Sequence, residues 1–589
     1  MRKGLNLLLL LSAFLLDQTS FGKAEHVFEI AKQQVKKNFQ GSLEFINHFE
    51  DGIRKEIFLN KKITNQDFNQ QADILKASQD LIAANNERIN GGKRIFTCKD
   101  KERAYGGPQD VLHFFPVEVG QLDSRNQTRT SIKGNCFRDI TFQYVHYMVG
   151  DQIKQVKIII EAKNPKGLFC KDWFLIAHQE FYHFETIFMK GKHEFVFNNL
   201  NKDARQSIDV NKIRIYQFCD DYQDTFMSIF HTLELFIGAL TMHKDWPKPF
   251  NMVIPDYMIN ANLDFLKHSM EYDMPPRGYD QIEVKEEDVK PGDVFGIMRL
   301  DGLDPIIMYG AGGTIGHCAI AVSFNDEIYM IEVQDAWYWP KATVQKNKLQ
   351  DWIRYAKDAQ YHVSHFRLNK LARSMFNNTK AQEFFNQTEG IAYGFHNFLF
   401  AWLDTPNDNN PPVLPPGMLA NTFSLVETIS PEVVDIFMNQ ALNKRLGTKG
   451  LTLSQISVEA AKRNLTLDDV IAMPELDGWE YEGLEPKDGR SYVCSTYVTA
   501  VMKAAGVFGD MIFNPGEQTP RDMYQLTIFE TTSTWRSKKC QETEPNTPWC
   551  QILGAYKMSF PGFSTVKPYP HMNERCPSIA PKYERTEGC

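Results

Sequence analysis

The chain has no dense block of lysine or arginine. Its 65 Lys and Arg are outnumbered by 73 Asp and Glu, giving a formal net charge of -8 and a pI near 6.1. Phosphate backbones are held by clustered cations, so nucleic acid is excluded as an expected partner. Long apolar runs are also scarce. Past the N-terminus the richest is "FMSIFHTLELFIGALTMH" at 226–243, and it carries His231 and Glu234. Ionisable groups are expensive inside a bilayer, so a buried helix or sheet segment is expected there. The C-terminal "KYERTEGC" has neither an apolar tail nor a retention signal, and no stable membrane anchor is expected.

Two motifs fail on spacing. "HQEFYH" brings His178, Glu180 and His183 together, but its histidines are five apart, whereas zinc sites on helices use a spacing of four. In "YGAGGTIG" at 309–316 the third glycine falls one place late for a dinucleotide loop, and a strand follows instead of a helix. That stretch reads as a flexible turn leading into His317.

What is present is a globular composition, 43% hydrophobic and 12% aromatic over 589 residues, ample for several cores. Residues 1–23 have the layout of a secretory signal peptide: two basic residues, an apolar run from Leu5 to Leu16, then small and polar residues. Residues 24–95 show helical spacing of apolar positions. Residues 96–255 contain short β-branched and aromatic runs separated by turns, the texture of a sandwich-like antiparallel domain whose ligand is unknown. From 280 to 535 strands and helices alternate, interrupted by an insertion at about 405–485 that opens on "DTPNDNNPPVLPPG". In it, helices are expected at "SPEVVDIFMNQAL", with Ser430 as N-cap and Pro431 at the first helical position, and at "SQISVEAAKRN". Residues 536–589 read as a loop-rich tail.

A secreted or lysosomal lumen would pair most of the ten cysteines. Spacing suggests Cys98 with Cys136, Cys170 with Cys219, Cys540 with Cys550 and Cys576 with Cys589, although sequence cannot set connectivity. That leaves Cys318 and Cys494. Glycosylation sequons stand at Asn126, Asn377, Asn386 and Asn464.

"GTIGHCAIAVSFNDEIYMIEV", 313–333, reads as a β-hairpin. A two-residue turn at Asn325-Asp326 pairs Phe324 with Glu327 and sets Cys318 opposite Val333, Ala319 opposite Glu332 and His317 opposite Gln334. His317 and Glu332 then share a face as diagonal neighbours, while Cys318 and Asp335 fall on the other. Glu332 is therefore a candidate to orient His317 as a base. Strand alternation separates Cys318 from His317 and assigns it to the apolar core, where a thiol is inert. The matching nucleophile is expected in "YVCSTYVTAVMKAAGV", where Cys494 stands at the start of a helix whose free N–H groups and dipole lower a thiol's pKa.

"KPGDVFGIMRLDGLDPIIMYGAGGTIGHCAIAV" resembles the opening of circularly permuted NlpC-type papain-like hydrolases, the YiiX-like branch related to lecithin retinol acyltransferase. "EIYMIEV", "ATVQKNKLQDWI", "GIAYGFHNFLF" (as its Gly-x-x-Tyr-x-x-x-Asn motif), "YVCSTYVTAVMKAAGV" and "TPRDMYQ" are similar to later pieces in the same order. The resemblance covers about 290–530 without the insertion. Cys318 stands where that family more often has Val or Tyr. The resemblance implies an α+β fold, a permuted papain-like catalytic domain preceded by the helical and β-rich parts. It makes Cys494 the nucleophile, His317 the general base and acid, and Glu332 the orienting residue, with no metal or organic cofactor. The expected function is a secreted or lysosomal thiol hydrolase cleaving an amide in a peptide or cell-wall peptide. Lipid or ester acyl hydrolysis or transfer with the same triad stays open, as does an inactive binding protein that uses its β-rich domain.

Overall fold

A computed structural model describes residues 98–99 and most of 113–568; the longest internal stretches outside the described residues are 242–252, 335–342 and 401–416. The signal-peptide and helical readings at 1–95, Asn126, Ser430, Asp335 and the Cys576–Cys589 pairing lie outside the described residues. The fold is α+β, and its described part divides into two compact units, one from 113–231 with 411–473 and one from 232–410 with 474–568. Helix Tyr222–Thr241 covers most of the 226–243 run, and no described helix is long and apolar enough to cross a membrane.

In the first unit, β1 (Val117–Leu122), β2 (Arg129–Ile132), β3 (Phe137–Val149), β4 (Gln152–Pro165), β5 (Asp172–His178), β6 (Phe181–Ile187), β7 (Gly191–Asn198) and β8 (Ile213–Gln217) form two four-stranded antiparallel sheets, ordered β1-β8-β5-β6 and β2-β3-β4-β7. Alternation along β4 turns Ile153, Val156, Ile158, Ile160 and Ala162 inward, and they share one core with Phe174, Ile176, Ile213 and Ile215 of the other sheet. Each fully buried side chain of this kind contributes roughly 2 kcal/mol.

Two of the expected disulfides are exchanged: the bonds are Cys98–Cys219 and Cys136–Cys170, with Cys540–Cys550 as expected. The β3–β4 register explains this, because Phe137 lies opposite Pro165 and so carries Cys136 to the turn before β5. The Asp172 carboxylate fixes that turn by accepting the N–H groups of Cys136 (3.1 Å) and Phe137 (2.7 Å).

The segment expected as an insertion in the downstream domain contributes its described residues from 417 to 473 to the β-rich unit instead. Helix Leu453–Lys462, capped by Thr452, packs on α1 (Ala204–Asn211), with the Ser207 and Ser457 hydroxyls 2.6 Å apart. Arg214 donates to both Glu118 (3.0 Å) and Asp468 (2.6 Å).

The second unit is built on a six-stranded antiparallel sheet. Its strands are β9 (Val294–Met298), β10 (His317–Phe324), β11 (Glu327–Val333), β12 (Val344–Lys348), β13 (His362–Phe366) and β14 (Cys550–Leu553), in the order β12-β11-β10-β9-β13-β14. The last strand corrects the reading of 536–589 as a tail, since Cys550–Leu553 closes one edge of this sheet. Asn325 and Asp326 adopt φ of 50° and 63°, values that Asn and Asp tolerate best among residues with side chains. Phe324 pairs with Glu327 and Ile320 with Ile331, the register read from the sequence. One face packs on α2 (Leu349–Asp358) through Ala319, Ala321, Met330 and Trp352. The other face of β10 meets α3 (Cys494–Ala504).

Candidate active site

Alternating β10 and β11 side chains set a histidine and a carboxylate on one face. His317 Nε2 and Glu332 Oε2 are 2.7 Å apart, with Glu332 wholly buried. A carboxylate only accepts, so Nε2 carries a hydrogen toward Glu332 and Nδ1 is the nitrogen left to exchange a proton with Cys494. The other Glu332 oxygen accepts the indole N–H of Trp352 at 2.7 Å, fixing the carboxylate from α2. The amide nitrogen of Gln334 lies 3.1 Å from His317 Nε2 and donates to Glu332 Oε2 (3.3 Å) and to the Tyr361 hydroxyl (3.2 Å).

Cys494 is the first residue of α3. The N-cap, Val493, has no side-chain oxygen, so the first-turn N–H groups are left for other acceptors. Ser495 N–H donates to the Cys494 sulfur, which lies 3.6 Å from the Gly316 carbonyl, immediately before β10. His317 is hydrogen-bonded to the same sulfur. The structure thus brings Cys494, His317 and Glu332 together.

Cys318 is wholly buried in the core, as expected, and it also neighbours the nucleophile. Its thiol interacts with the Cys494 sulfur. Alternation does put Cys318 and His317 on opposite faces, but Cys494 arrives at the end of β10, where one sulfur meets a side chain from each face.

The electrostatics follow from these contacts. The hydrogen bond from Cys318, with the charge and hydrogen bond of His317 and the Ser495 N–H, holds Cys494 well below an ordinary thiol despite burial. Burial opposes charge on His317, but the Cys494 thiolate and Glu332 outweigh it and raise the imidazole well above its usual value. Burial pushes the Cys318 thiol far up, so it stays protonated. Burial and the neighbouring Asp301 likewise raise Asp304, whose carboxyl group fills the space a β-carbon at Gly316 would need.

Beside the sulfur lies a cleft with an empty volume of about 350 Å³, part of it open to solvent. Ile307, Ala311, Tyr393, Phe398, Val493 and Pro520 make its walls, and no charged side chain lines it. Gly394 lets the Tyr393 turn close on the strand before Cys494, because a β-carbon there would overlap Ser491 and Tyr492; its N–H donates to the Tyr492 carbonyl at 2.9 Å. The Ser495 hydroxyl donates to the Gln518 carbonyl (2.7 Å), tying the first turn of α3 to the Thr519–Pro520 wall.

The "HQEFYH" residues go to separate partners: His178 lies near Ser207 (3.3 Å), Glu180 accepts from Ser454 (2.8 Å), and His183 faces Glu185 (3.0 Å). Among the described residues no group of three His, Cys, Asp or Glu is arranged to hold a metal ion.

Sequence reasoning missed Cys318, Gln334 and Trp352 as site residues. Gln334 alone carried a signal, since the register sets it opposite His317; Trp352 arrives from a helix whose docking no local pattern reveals. No family model, curated protein or solved structure matches this chain.

Proposed function

We propose that the chain is a cysteine-dependent acyl hydrolase with a permuted papain-like catalytic unit, acting through Cys494, His317 and Glu332. The observation that carries this reading is the single sulfur at a helix N-terminus, hydrogen-bonded to a histidine that a buried glutamate orients. His317 Nδ1 takes the Cys494 proton, the thiolate attacks a carbonyl carbon, and first-turn N–H groups of α3 face the developing oxyanion. The protonated His317 returns its proton to the leaving nitrogen or oxygen. Water, deprotonated by the same imidazole, then releases the acyl group from the sulfur.

The first substrate reading is an amide in a peptide or cell-wall peptide. The uncharged apolar cleft supports a second, an ester or lipid acyl substrate, and in both cases the group seated beside Cys494 is apolar. A secreted or lysosomal location fits the three disulfides and the exposed sequon residues Asn377, Asn386 and Asn464. The test is mass spectrometry of the full chain after incubation with activated esters and amides carrying either apolar or charged acyl groups. A thioacyl adduct on Cys494, formed from the apolar set and lost in Cys494→Ala, is expected. Absence of any adduct and of any turnover would favour an inactive binding protein.

A further inference from the structure

The catalytic scheme leaves one thiol at the site without a task. Among the described residues only Cys318 and Cys494 are free; the other six described cysteines are in disulfides. The two thiols are neighbours: the Cys494 sulfur lies 3.6 Å from the carbonyl of Gly316, two residues before Cys318, and their elements, β10 and α3, pack directly on each other. Packing alone does not call for sulfur at 318. Its neighbours on that face, Ile320 and Val322, are aliphatic and buried, and an aliphatic side chain would suit the strand equally well.

We propose that Cys318 is a resolving thiol: when hydrogen peroxide oxidises Cys494, the two cysteines close a disulfide that switches the site off reversibly. The inference rests on the reading of Cys494 as an activated thiolate. The cleft reaches Cys494 and does not include Cys318, which is completely buried, so a small neutral oxidant meets Cys494 first. The Cys494 thiolate attacks one peroxide oxygen and the O–O bond breaks. This leaves a sulfenic acid and a hydroxide, which takes the proton of the His317 imidazolium and departs as water. The Cys318 sulfur then attacks the Cys494 sulfur, the S–O bond breaks, and the departing hydroxide takes the Cys318 proton. Two thiols and one peroxide become one disulfide and two waters, with two electrons passing from sulfur to oxygen.

Closure requires the sulfurs to come to bonding distance, about 2.05 Å. That displacement is open to side-chain rotation at the end of a strand facing the first residue of a helix. The closed disulfide removes the nucleophile and covers nothing else, so reduction restores the site. Without Cys318, the sulfenic acid has no thiol partner among the described residues and a second peroxide carries it to the sulfinic acid, which thiols do not reduce.

The experiment treats the full-length reduced protein with hydrogen peroxide and reads two signals: a Cys318–Cys494 cross-linked peptide in a non-reducing digest, and iodoacetamide labelling of Cys494 before and after dithiothreitol. The wild type should form the cross-link, lose Cys494 labelling and regain it fully on reduction. Cys318→Ser should form no cross-link, accumulate sulfinic acid at Cys494 and regain no labelling. Sulfinic acid at Cys494 in the wild type without a cross-link would overturn the proposal, and this reading needs no variant. Labelling of the untreated protein separates the two ideas, since a Cys494 no more reactive than a free thiol counts against the hydrolase reading, whereas the cross-link alone decides this one.

Discussion

The two units each bury a histidine on a β-strand, and the two titrate in opposite directions. His178 ends β5, where burial lowers it to about 3; the Ser207 hydroxyl, the Glu180 N–H and the Phe181 ring meet it, and the charge of Arg214 works in the same direction as burial. His317 begins β10 and is also buried, yet it rises well above its usual value because a thiolate and a carboxylate face it. Residue type is the same and both are buried. What differs is the set of partners, and that decides which histidine is a neutral core residue and which is half of an ion pair.

Removing a partner should erase the distinction. The largest expected effect is at the pair itself: His317→Ala should slow alkylation of Cys494 near pH 6 by about 100-fold, measured by timed iodoacetamide labelling and mass spectrometry. Glu332→Gln keeps the shape and deletes the charge; it should lower the His317 pKa, read from its imidazole NMR signal, and reduce labelling about tenfold, corresponding to roughly 1.4 kcal/mol. Trp352→Phe leaves the carboxylate in place with one oxygen unpartnered, so its loss should be smaller, about fivefold in the same assay, for a hydrogen bond worth about 1 kcal/mol.

The other histidine makes the reverse prediction. Because folding lowers the His178 pKa from 6.5 to about 3, the unfolded chain binds the extra proton between those values. Stability contributed by this residue is present above pH 6.5 and lost as pH falls toward 3, with an upper bound of roughly 5 kcal/mol. His178→Gln should flatten the acid limb of a urea-unfolding profile that follows the β-rich unit, while leaving Cys494 labelling unchanged. Should His178→Gln alter that labelling, the comparison of the two histidines as independent cases would fail.

How much of this was legible depended on the range of the determining contacts. The Asn325-Asp326 turn is local, and a two-residue turn sets every pairing along β10 and β11, so the His317–Glu332 pair follows from a few adjacent residues. Cys494 could be placed at a helix start for the same reason. Alternation placed Cys318 in the core, where it is wholly buried, but its proximity to Cys494 was not legible, because the nucleophile meets the end of the strand. The disulfide exchange turned on the register of β3 with β4, 34 residues separating Cys136 from its partner. The attachment of 411–473 to the β-rich unit rests on pairs such as Arg214 with Asp468, whose partners no sequence window contains. Trp352 is apolar in every local pattern, and only the packing of α2 aims its indole N–H at Glu332.

The central claim is that Cys494 and His317 form an ion pair, and the pH dependence of Cys494 alkylation tests it most directly. With the thiolate stabilised, the wild-type rate should reach its half-maximum well below the ordinary thiol value of about 8.5 and stay high through neutrality. In His317→Ala the same profile should move up toward that value. Coinciding profiles for the two proteins, both centred near an ordinary thiol, would contradict the account.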